Sequence, residues 1–188
     1  MNAIETGLKD CFILEPRVFG DSRGYFFESY NKSVFKKAIG LDVDFVQDNQ
    51  SFSTKAVLRG LHAQAGEFAQ AKLVRVLQGE VLDVAVDARP DSNTFGKHVA
   101  VLLSAENKRQ LFVPRGFLHG FIVLSETAEF SYKCDNLYNK DAEWGVIYND
   151  SQLNIDWSLP TDNLLVSDKD RLLPSFEDAI AQLKLKTN

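Results

Sequence analysis

The sequence has 188 residues, of which 45% are hydrophobic and 25% charged, and a formal net charge of −5 at pH 7. Such a chain fits one globular domain with a sizeable core. The acidic balance argues against a general nucleic-acid binder, and no run approaches the ~18 apolar residues of a membrane helix. The N-terminus lacks a signal-peptide pattern. Cys11 and Cys134 form no CxxC motif, so we expect reduced thiols in a cytoplasmic protein.

The residue pattern in the first quarter of the chain predicts two strands and a helix. An apolar strand at 12–14 and an aromatic one at 25–30 are separated by turn-forming residues at 20–24. The pattern of residues 31–39 predicts a helix, because Asn31 can cap its first turn, apolar residues recur on one face and Gly40 can end it.

From residue 43 to 134 the pattern is strand, turn, strand. The predicted strands are 45–53, 73–77, 81–87, 97–104, 111–113, 121–124 and 128–134. Gly79-Glu80 separates two of them and predicts a tight hairpin. Short strands with turns every 8–12 residues indicate an all-β sandwich or jelly roll. Near the C-terminus, Ser175 is a plausible cap for a final helix.

Two residues in this strand region are candidates for a functional site. His62 can act as a general base because imidazole titrates near neutral pH, and the alternative is a strand histidine bonded to a carbonyl. Lys72 lies in an apolar run, so it either lines a pocket or extends to solvent at a sheet edge.

Other candidates each have a structural alternative. Tyr132 can donate a proton or simply pack in a sheet, and Asp170 can orient a histidine or belong to a polar loop. Arg23, Arg59 and Arg115 each adjoin a glycine, which would let an anionic ligand approach, or they lie in solvated turns.

Strand geometry and metal chemistry add two expectations. Strict alternation places Arg59 and His62 on opposite faces, so both reach one ligand only if the strand bulges, and Gly60 is the natural place. The three histidines, His62, His98 and His119, include no HxH pair, so we expect no bound metal.

Several motifs in order resemble the dTDP-4-dehydrorhamnose 3,5-epimerase family across nearly the whole chain. They are Arg23-Gly24-Tyr25-Phe26, Leu58-Arg59-Gly60-Leu61-His62, Ala71-Lys72-Leu73-Val74, Val113-Pro114-Arg115-Gly116-Phe117, Tyr132-Lys133-Cys134 and Ser167-Asp168-Lys169-Asp170. The family usually has an aromatic residue after the histidine, where this chain has Ala63.

The resemblance implies a mainly β, metal-free cupin-type double-stranded β-helix, or jelly roll, with a few short helices. It implies one domain over residues 1–188 and a homodimer whose N-terminal strands, about residues 1–30, are exchanged between subunits. The implied activity is an isomerase that needs no cofactor. It would epimerise C3 and C5 of dTDP-4-dehydro-6-deoxy-D-glucose in dTDP-L-rhamnose biosynthesis.

The resemblance also implies residue roles. His62 resembles the base, Asp170 its orienting partner, Tyr132 the acid, Lys72 the group that steadies the enolate, and Tyr138 the ring that stacks on thymine. The implied substrate contacts are Arg23, Glu28, Gln47, Asp48, Asn49, Arg59, His119, Glu143 and Lys169.

Two alternatives stay open at this point. One is a related nucleotide-sugar enzyme that epimerises a single centre or moves the ketone. The other is a non-catalytic sugar-binding jelly roll, which would need neither base nor acid.

Overall fold

The computed structural model describes residues 1–187, and most of its regular structure is strand. The strands and helix of the first half are β1 (Asn2–Glu5), β2 (Phe12–Glu15), β3 (Val18–Asp21), β4 (Gly24–Phe27), α1 (Lys32–Ile39), β5 (Gln47–Thr54), β6 (Val57–Gln64), β7 (Lys72–Gln78) and β8 (Glu80–Asp87). Those of the second half are β9 (His98–Ser104), β10 (Gln110–Val113), β11 (Phe117–Val123), β12 (Thr127–Cys134), β13 (Glu143–Gly145), β14 (Leu165–Val166), α2 (Asp168–Arg171) and α3 (Phe176–Thr187).

Two sheets account for most of the strands. The first sheet has the order β1-β2-β10-β7-β12-β5, and the second has the order β13-β6-β11-β8-β9 with β14 added beside β6. A third, two-stranded sheet consists of β3 and β4 alone. The mainly β class predicted from the sequence is confirmed.

An apolar core fills the space between the two large sheets. Val74 and Phe130 come from the first sheet, and Val81, Ala85 and Phe121 come from the second. All five side chains are buried, and the rings of Phe121 and Phe130 stack with centroids 4.2 Å apart. Because strand side chains alternate, the neighbouring residues on β7, β8, β11 and β12 point away from this core.

Helical and irregular segments cover the outer faces. On the first sheet, α1 places Phe35 and Ile39 against Leu14, Leu73 and Phe112. On the second sheet, residues of α3 and of the preceding segment pack over a second core; they include Val146, Leu153, Trp157, Phe176, Ala179 and Ile180. Each sheet therefore has one face in the central core and one face under another layer.

Both predicted helix caps are confirmed. The Asn31 side chain accepts hydrogen bonds from the backbone N–H groups of Ser33 and Val34. Gly40 follows α1 in the left-handed conformation, with φ of 75°. Ser175 Oγ accepts from the backbone N–H of Asp178, which satisfies an otherwise unpaired donor at the start of α3.

The predicted hairpin at Gly79-Glu80 is wrong. β7 pairs with β10 and β12 in the first sheet, whereas β8 pairs with β11 and β9 in the second. The chain crosses between sheets at Gly79, where φ is 79° and a Cβ atom would lie 2.0 Å from the carbonyl oxygen of Thr127. β7 and β8 carry apolar residues on both faces because each sheet is covered on one face by the central core and on the other by an outer layer.

The N-terminal strands also differ from the prediction. The aromatic strand β4 pairs with β3 rather than with the apolar strand β2, which lies between β1 and β10. The turn at residues 21–24 is where expected, because Asp21 Oδ1 accepts from the backbone N–H of Arg23 at 2.8 Å. The short segment between β2 and β3 is the missed boundary.

Candidate active site

A cavity of about 460 Å³ opens between the two large sheets. One wall belongs to the first sheet and the other to the second, and the segment through β14 and α2 closes one side. Its lining includes Asn49, Ser51, Arg59, His62, Lys72, His119, Phe121, Phe130, Tyr132, Leu165, Lys169 and Asp170. Eight of these were predicted from the sequence as site residues.

A histidine–carboxylate pair lies in this cavity. His62 Nε2 is 2.7 Å from Asp170 Oδ1, and the second carboxylate oxygen accepts from the backbone N–H of Gly60 at 3.3 Å. Burial alone would raise the pKa of Asp170, but these hydrogen bonds and the His62 ring hold it below its usual value. An ionised carboxylate only accepts, so the His62 proton is on Nε2 and Nδ1 keeps the lone pair that a base requires.

Asp170 is placed by the start of a short helix. Ser167 precedes α2, and its Oγ accepts from the backbone N–H of Asp170 at 3.1 Å. The Asp170 side chain turns inward and is 4% exposed, whereas its neighbours Lys169 and Arg171 remain on the surface. The sequence segment predicted as either a functional carboxylate or a polar loop is thus a capped helical turn.

The expected bulge brings Arg59 and His62 to one cavity. β11 pairs with β6 at His119–His62 and at Phe121–Arg59, with a register shift between these pairs. Gly60, at the shift, has φ of 118°, and a Cβ there would lie 2.7 Å from the Cα of Gly120. The extra residue reverses the alternation, so both side chains line the cavity. Arg59 then donates from Nε and Nη2 to Ser53 Oγ, each at 3.1 Å.

The facing wall carries Lys72 and Tyr132. They lie on β7 and β12, which are neighbours in the first sheet, and Lys72 Nζ is 5.9 Å from the centroid of the Tyr132 ring. Within residues 1–187 the amine forms no hydrogen bond or ion pair. Burial lowers the pKa of Lys72 and raises the pKa of Tyr132, in each case by disfavouring the charged form. Lys72 therefore lines the pocket rather than extending to solvent.

A second cavity of about 160 Å³ adjoins the first and shares His62, Lys72 and Tyr132 with it. Its rim carries Tyr138, whose hydroxyl donates to Glu143 Oε2 at 3.2 Å. Burial alone would raise the pKa of Glu143, but the ion pair with Lys169 at 2.7 Å holds it low. Tyr138 is 57% exposed, so one face of its ring is available to a ligand.

Gln64 was missed by the sequence analysis, although it fixes the Tyr138 loop. Its side chain is 6% exposed; Nε2 donates to the carbonyls of Phe68 and Leu137, at 2.7 and 3.2 Å, and Oε1 accepts from the backbone N–H of Asn139. Gln47 Oε1 accepts from the backbone N–H of Tyr138 itself. A glutamine two residues from a candidate base, inside an apolar strand, was the available signal.

Three predicted contact residues do not line the cavity of this chain. Arg23 lies at the tip of the β3–β4 hairpin and pairs with Asp21 at 2.6 Å. Glu28 accepts from the Asn31 side chain. Asp48 points to the outer face of β5, where it pairs with Lys133 at 2.8 Å, because its neighbours Gln47 and Asn49 take the inner face.

The side chains that the structure describes contain no group of three or more His, Cys, Asp or Glu residues arranged to hold a metal. Cys11 and Cys134 are both free and buried. No helix among residues 1–187 combines the length and apolarity needed to cross a membrane.

Comparison with known proteins decides the family. The model of the family described as dTDP-4-dehydrorhamnose 3,5-epimerase matches residues 5–178. The chain belongs to the dTDP-4-dehydrorhamnose 3,5-epimerase family. A curated family member from Escherichia coli strain K12 is 55% identical over 185 residues, covering 98% of this chain and 99% of that protein.

Solved structures from the same family share the fold. The dTDP-4-dehydrorhamnose 3,5-epimerase from Elizabethkingia anophelis is 58% identical, with a TM-score of 0.92 and coverage of 95% of this chain and 97% of that one. A dTDP-6-deoxy-D-glucose-3,5-epimerase from Legionella pneumophila in complex with dTDP-4-keto-L-rhamnose is 47% identical, with a TM-score of 0.92 and coverage of 97% and 96%. The predicted cupin-type jelly roll and the isomerase class are confirmed.

Proposed function

We propose that this chain inverts both C3 and C5 of dTDP-4-dehydro-6-deoxy-D-glucose, giving dTDP-4-dehydro-L-rhamnose for dTDP-L-rhamnose synthesis. One observation carries the proposal: the candidate base and the candidate acid project from opposite walls of one cavity. His62 belongs to the second sheet, whereas Tyr132 belongs to the first. A sugar ring between the sheets would present one face to each, which inversion at carbon requires.

The C4 ketone determines the chemistry, because it acidifies the hydrogens on both adjacent carbons. His62 Nδ1 takes the proton from C3 or C5, and the C–H electron pair moves into an enolate with its charge on the C4 oxygen. Tyr132 then delivers its hydroxyl proton to the opposite face of that carbon. Exchange with water restores both side chains, and every step is a proton transfer, so the proposal includes no metal or redox cofactor.

Lys72 supports these proton-transfer steps by stabilising the enolate. Its ammonium group lies on the same wall as Tyr132 and has no protein anion bonded to it in the described chain. A cation held beside the C4 oxygen stabilises charge that appears only as the reaction proceeds, so it lowers the barrier rather than only improving binding. Asp170 keeps the His62 proton on Nε2 throughout.

The remaining predicted contacts divide between the sugar diphosphate and the thymine ring of the substrate. Arg59 and Lys169 line the main cavity and supply positive groups for the hexose and diphosphate, and His119 lines the same cavity beside the hexose. Tyr138 offers its exposed ring face for stacking on thymine, and Gln47, Asn49 and Glu143 surround the adjoining cavity.

We also propose that the single domain, residues 1–188, works as a cytoplasmic homodimer that exchanges N-terminal strands, about residues 1–30. The β3–β4 hairpin pairs with no other strand among the described residues, and it exposes Tyr25 and Phe26, at 63% and 71%. Exposed aromatic clusters of this kind mark interaction surfaces. A second copy would then bring Arg23 and Glu28 to the cavity that this chain leaves without them.

Complementation between inactive subunits tests the exchange. Arg23→Ala and His62→Ala proteins, each inactive alone, should regain part of the wild-type activity after unfolding and refolding together, because mixed dimers contain one site with both residues intact. Mixtures that stay inactive, although co-purification of differently tagged subunits shows mixed dimers, would refute delivery of Arg23 by the partner.

Proton NMR of dTDP-4-dehydro-6-deoxy-D-glucose in deuterated water tests the activity. We expect loss of both the C3 and C5 proton signals, and a rhamno product after reduction of the ketone. Exchange at one carbon would indicate a single-centre epimerase, a migrated ketone would indicate an isomerase of the ketone, and dTDP binding without exchange would indicate a sugar-binding jelly roll.

Two histidine variants identify the base. His62→Ala should lose turnover yet bind dTDP, because nucleotide contacts lie elsewhere. His98→Ala is the matched control, since His98 lies on the edge strand β9 outside the cavity lining. Unchanged turnover in the His62→Ala protein would disprove the base assignment.

A further inference from the structure

A second histidine–carboxylate pair lies inside the same cavity. His119 Nε2 is 3.0 Å from both carboxylate oxygens of Asp83. His119 is 7% exposed and Asp83 is 0% exposed. His119 lines the cavity, whereas Asp83 is behind it on β8. Because β11 pairs with both β6 and β8, His119 is the direct cross-strand neighbour of His62 and a diagonal neighbour of Asp83.

The Asp83 carboxylate is fully buried and is hydrogen-bonded to one residue. Among residues 1–187, its side chain hydrogen-bonds only to His119, and its strand neighbours on the inner face are Val81 and Ala85. Burying a carboxylate is costly, and although the Lys72 ammonium is near enough to attract Asp83 electrostatically, no ion pair joins the two groups. A fold stabilised by packing alone would place an apolar residue there, so the aspartate points to a role in the cavity.

The geometry of this pair restricts what His119 can do. The carboxylate accepts, so Nε2 carries a proton and Nδ1 is the ring nitrogen left for a ligand. The His119 ring is also held by Phe130, with centroids 6.1 Å apart and planes inclined by 25°. The ring is therefore fixed both in orientation and in the position of its proton.

We propose that Asp83 is a positioning residue for the reaction: it holds His119 with its proton on Nε2, so that Nδ1 accepts a hydrogen bond from a hydroxyl group of the bound hexose. This inference rests on the proposed function for the nature of the ligand. His119 and His62 share one wall, so His119 orients the sugar from the side on which the base acts. Asp83 itself touches no substrate.

A double-mutant cycle separates positioning from simple structural support. Asp83→Asn keeps the side-chain shape and should lower kcat/KM about 10- to 100-fold. This is the range seen when a carboxylate that orients a metal-binding histidine is removed, which is the same kind of positioning. In a His119→Asn background the same change should have no further effect, because Asp83 acts through that ring. An equal loss in both backgrounds would overturn the proposal.

Asp87→Asn is the matched control. Asp87 lies on the same strand, is equally buried, and accepts hydrogen bonds from Arg89, Ser92 and Thr94 instead of from a cavity residue. We expect it to lower the unfolding temperature without changing kcat/KM at a temperature where the protein is folded. A matching loss of kcat/KM in this variant would mean that any buried aspartate on β8 has the same effect, which would overturn a specific role for Asp83.

Nitrogen-15 NMR of the imidazole groups gives a readout that is independent of catalysis. The chain has only three histidines, so His62→Asn and His98→Asn variants assign the His119 signals. In the wild-type protein Nε2 should carry a proton; in Asp83→Asn the proton should populate Nδ1 as well, because an amide can also donate. A wild-type His119 with its proton on Nδ1 alone, or spectra unchanged by Asp83→Asn, would refute the proposal even if the protein proved inactive on dTDP-sugars.

Discussion

Replacing Lys72 by methionine should impair catalysis while making the fold more stable. The amine lies on the inner face of β7, on the side of Val74 and Val76, and burial lowers its pKa. No hydrogen bond or ion pair in the described chain offsets the loss of hydration, and the electrostatic attraction of Asp83 and Glu143 offsets it only in part. A methionine fills similar space without a charge, so the free energy of unfolding should rise by about 1–3 kcal/mol, by analogy with buried ionic groups replaced by apolar ones.

The catalytic loss follows from the enolate. Removing one preorganised donor beside a developing oxyanion costs roughly 2.7–4 kcal/mol, so kcat should fall about 100- to 1000-fold. The assay is loss of the C3 and C5 proton signals in deuterated water, with chemical denaturation measured on the same sample. Lys55→Met is the control, because Lys55 forms an exposed ion pair with Glu126 and should change neither quantity by more than about 1 kcal/mol.

The pH dependence has a defined sign. An unfolded lysine binds its proton up to its ordinary pKa, about 10.4, whereas the folded Lys72 releases it at lower pH. The stability advantage of methionine should therefore be largest near neutral pH and shrink as the pH rises toward 10. As the pH rises, the turnover of the wild-type protein should begin to fall at a pH below the ordinary pKa of lysine. Unchanged turnover in Lys72→Met, or a variant less stable than wild type, would refute this reasoning.

Three further changes test other parts of the structure. Gln64→Ala should weaken dTDP binding about 10-fold with little change in kcat, because the Tyr138 loop loses two hydrogen bonds; calorimetry and steady-state kinetics check this split. Asp87→Asn should cost stability at neutral pH, and the difference from wild type should shrink as pH falls from about 4 toward the folded pKa of about 2. Gly60→Ala should prevent normal folding or cost several kcal/mol, since its Cβ would overlap Gly120 and φ is 118°; thermal unfolding measures it.

Local sequence signals predicted the elements whose structure depends on nearby residues. Asn31 and Gly40 determine the ends of α1 through backbone contacts within a few residues, so the pattern was sufficient. The place of the bulge, Gly60, was also deducible, on the condition that Arg59 and His62 reach one ligand. Each of these features follows from a steric or hydrogen-bonding rule that acts within a short segment.

Local signals did not predict which strands pair or which residues distant in sequence come into contact. Gly79 has the same local pattern in a hairpin and in a crossover between sheets, and the choice depends on which strands β7 and β8 meet elsewhere. The face on which Asp48 lies depends on the register of β5 with β12. Asp83 and Gln64 were missed because their partners, His119 and the 137–139 loop, are far away in sequence.

The division of the site between sheets and loops has a consequence for specificity. The candidate base, acid and cation lie on β6, β12 and β7, which are paired on both edges within the sheets, so their spacing is rigid. Three of the residues proposed to contact the nucleotide, Tyr138, Lys169 and Arg23, lie instead on the 137–139 loop, on α2 and on the unpaired hairpin. Loops tolerate substitution far better than paired strands do. Changes in the nucleotide preference should therefore arise from loop and hairpin substitutions, while the stereochemistry of proton transfer stays under the control of the two sheets.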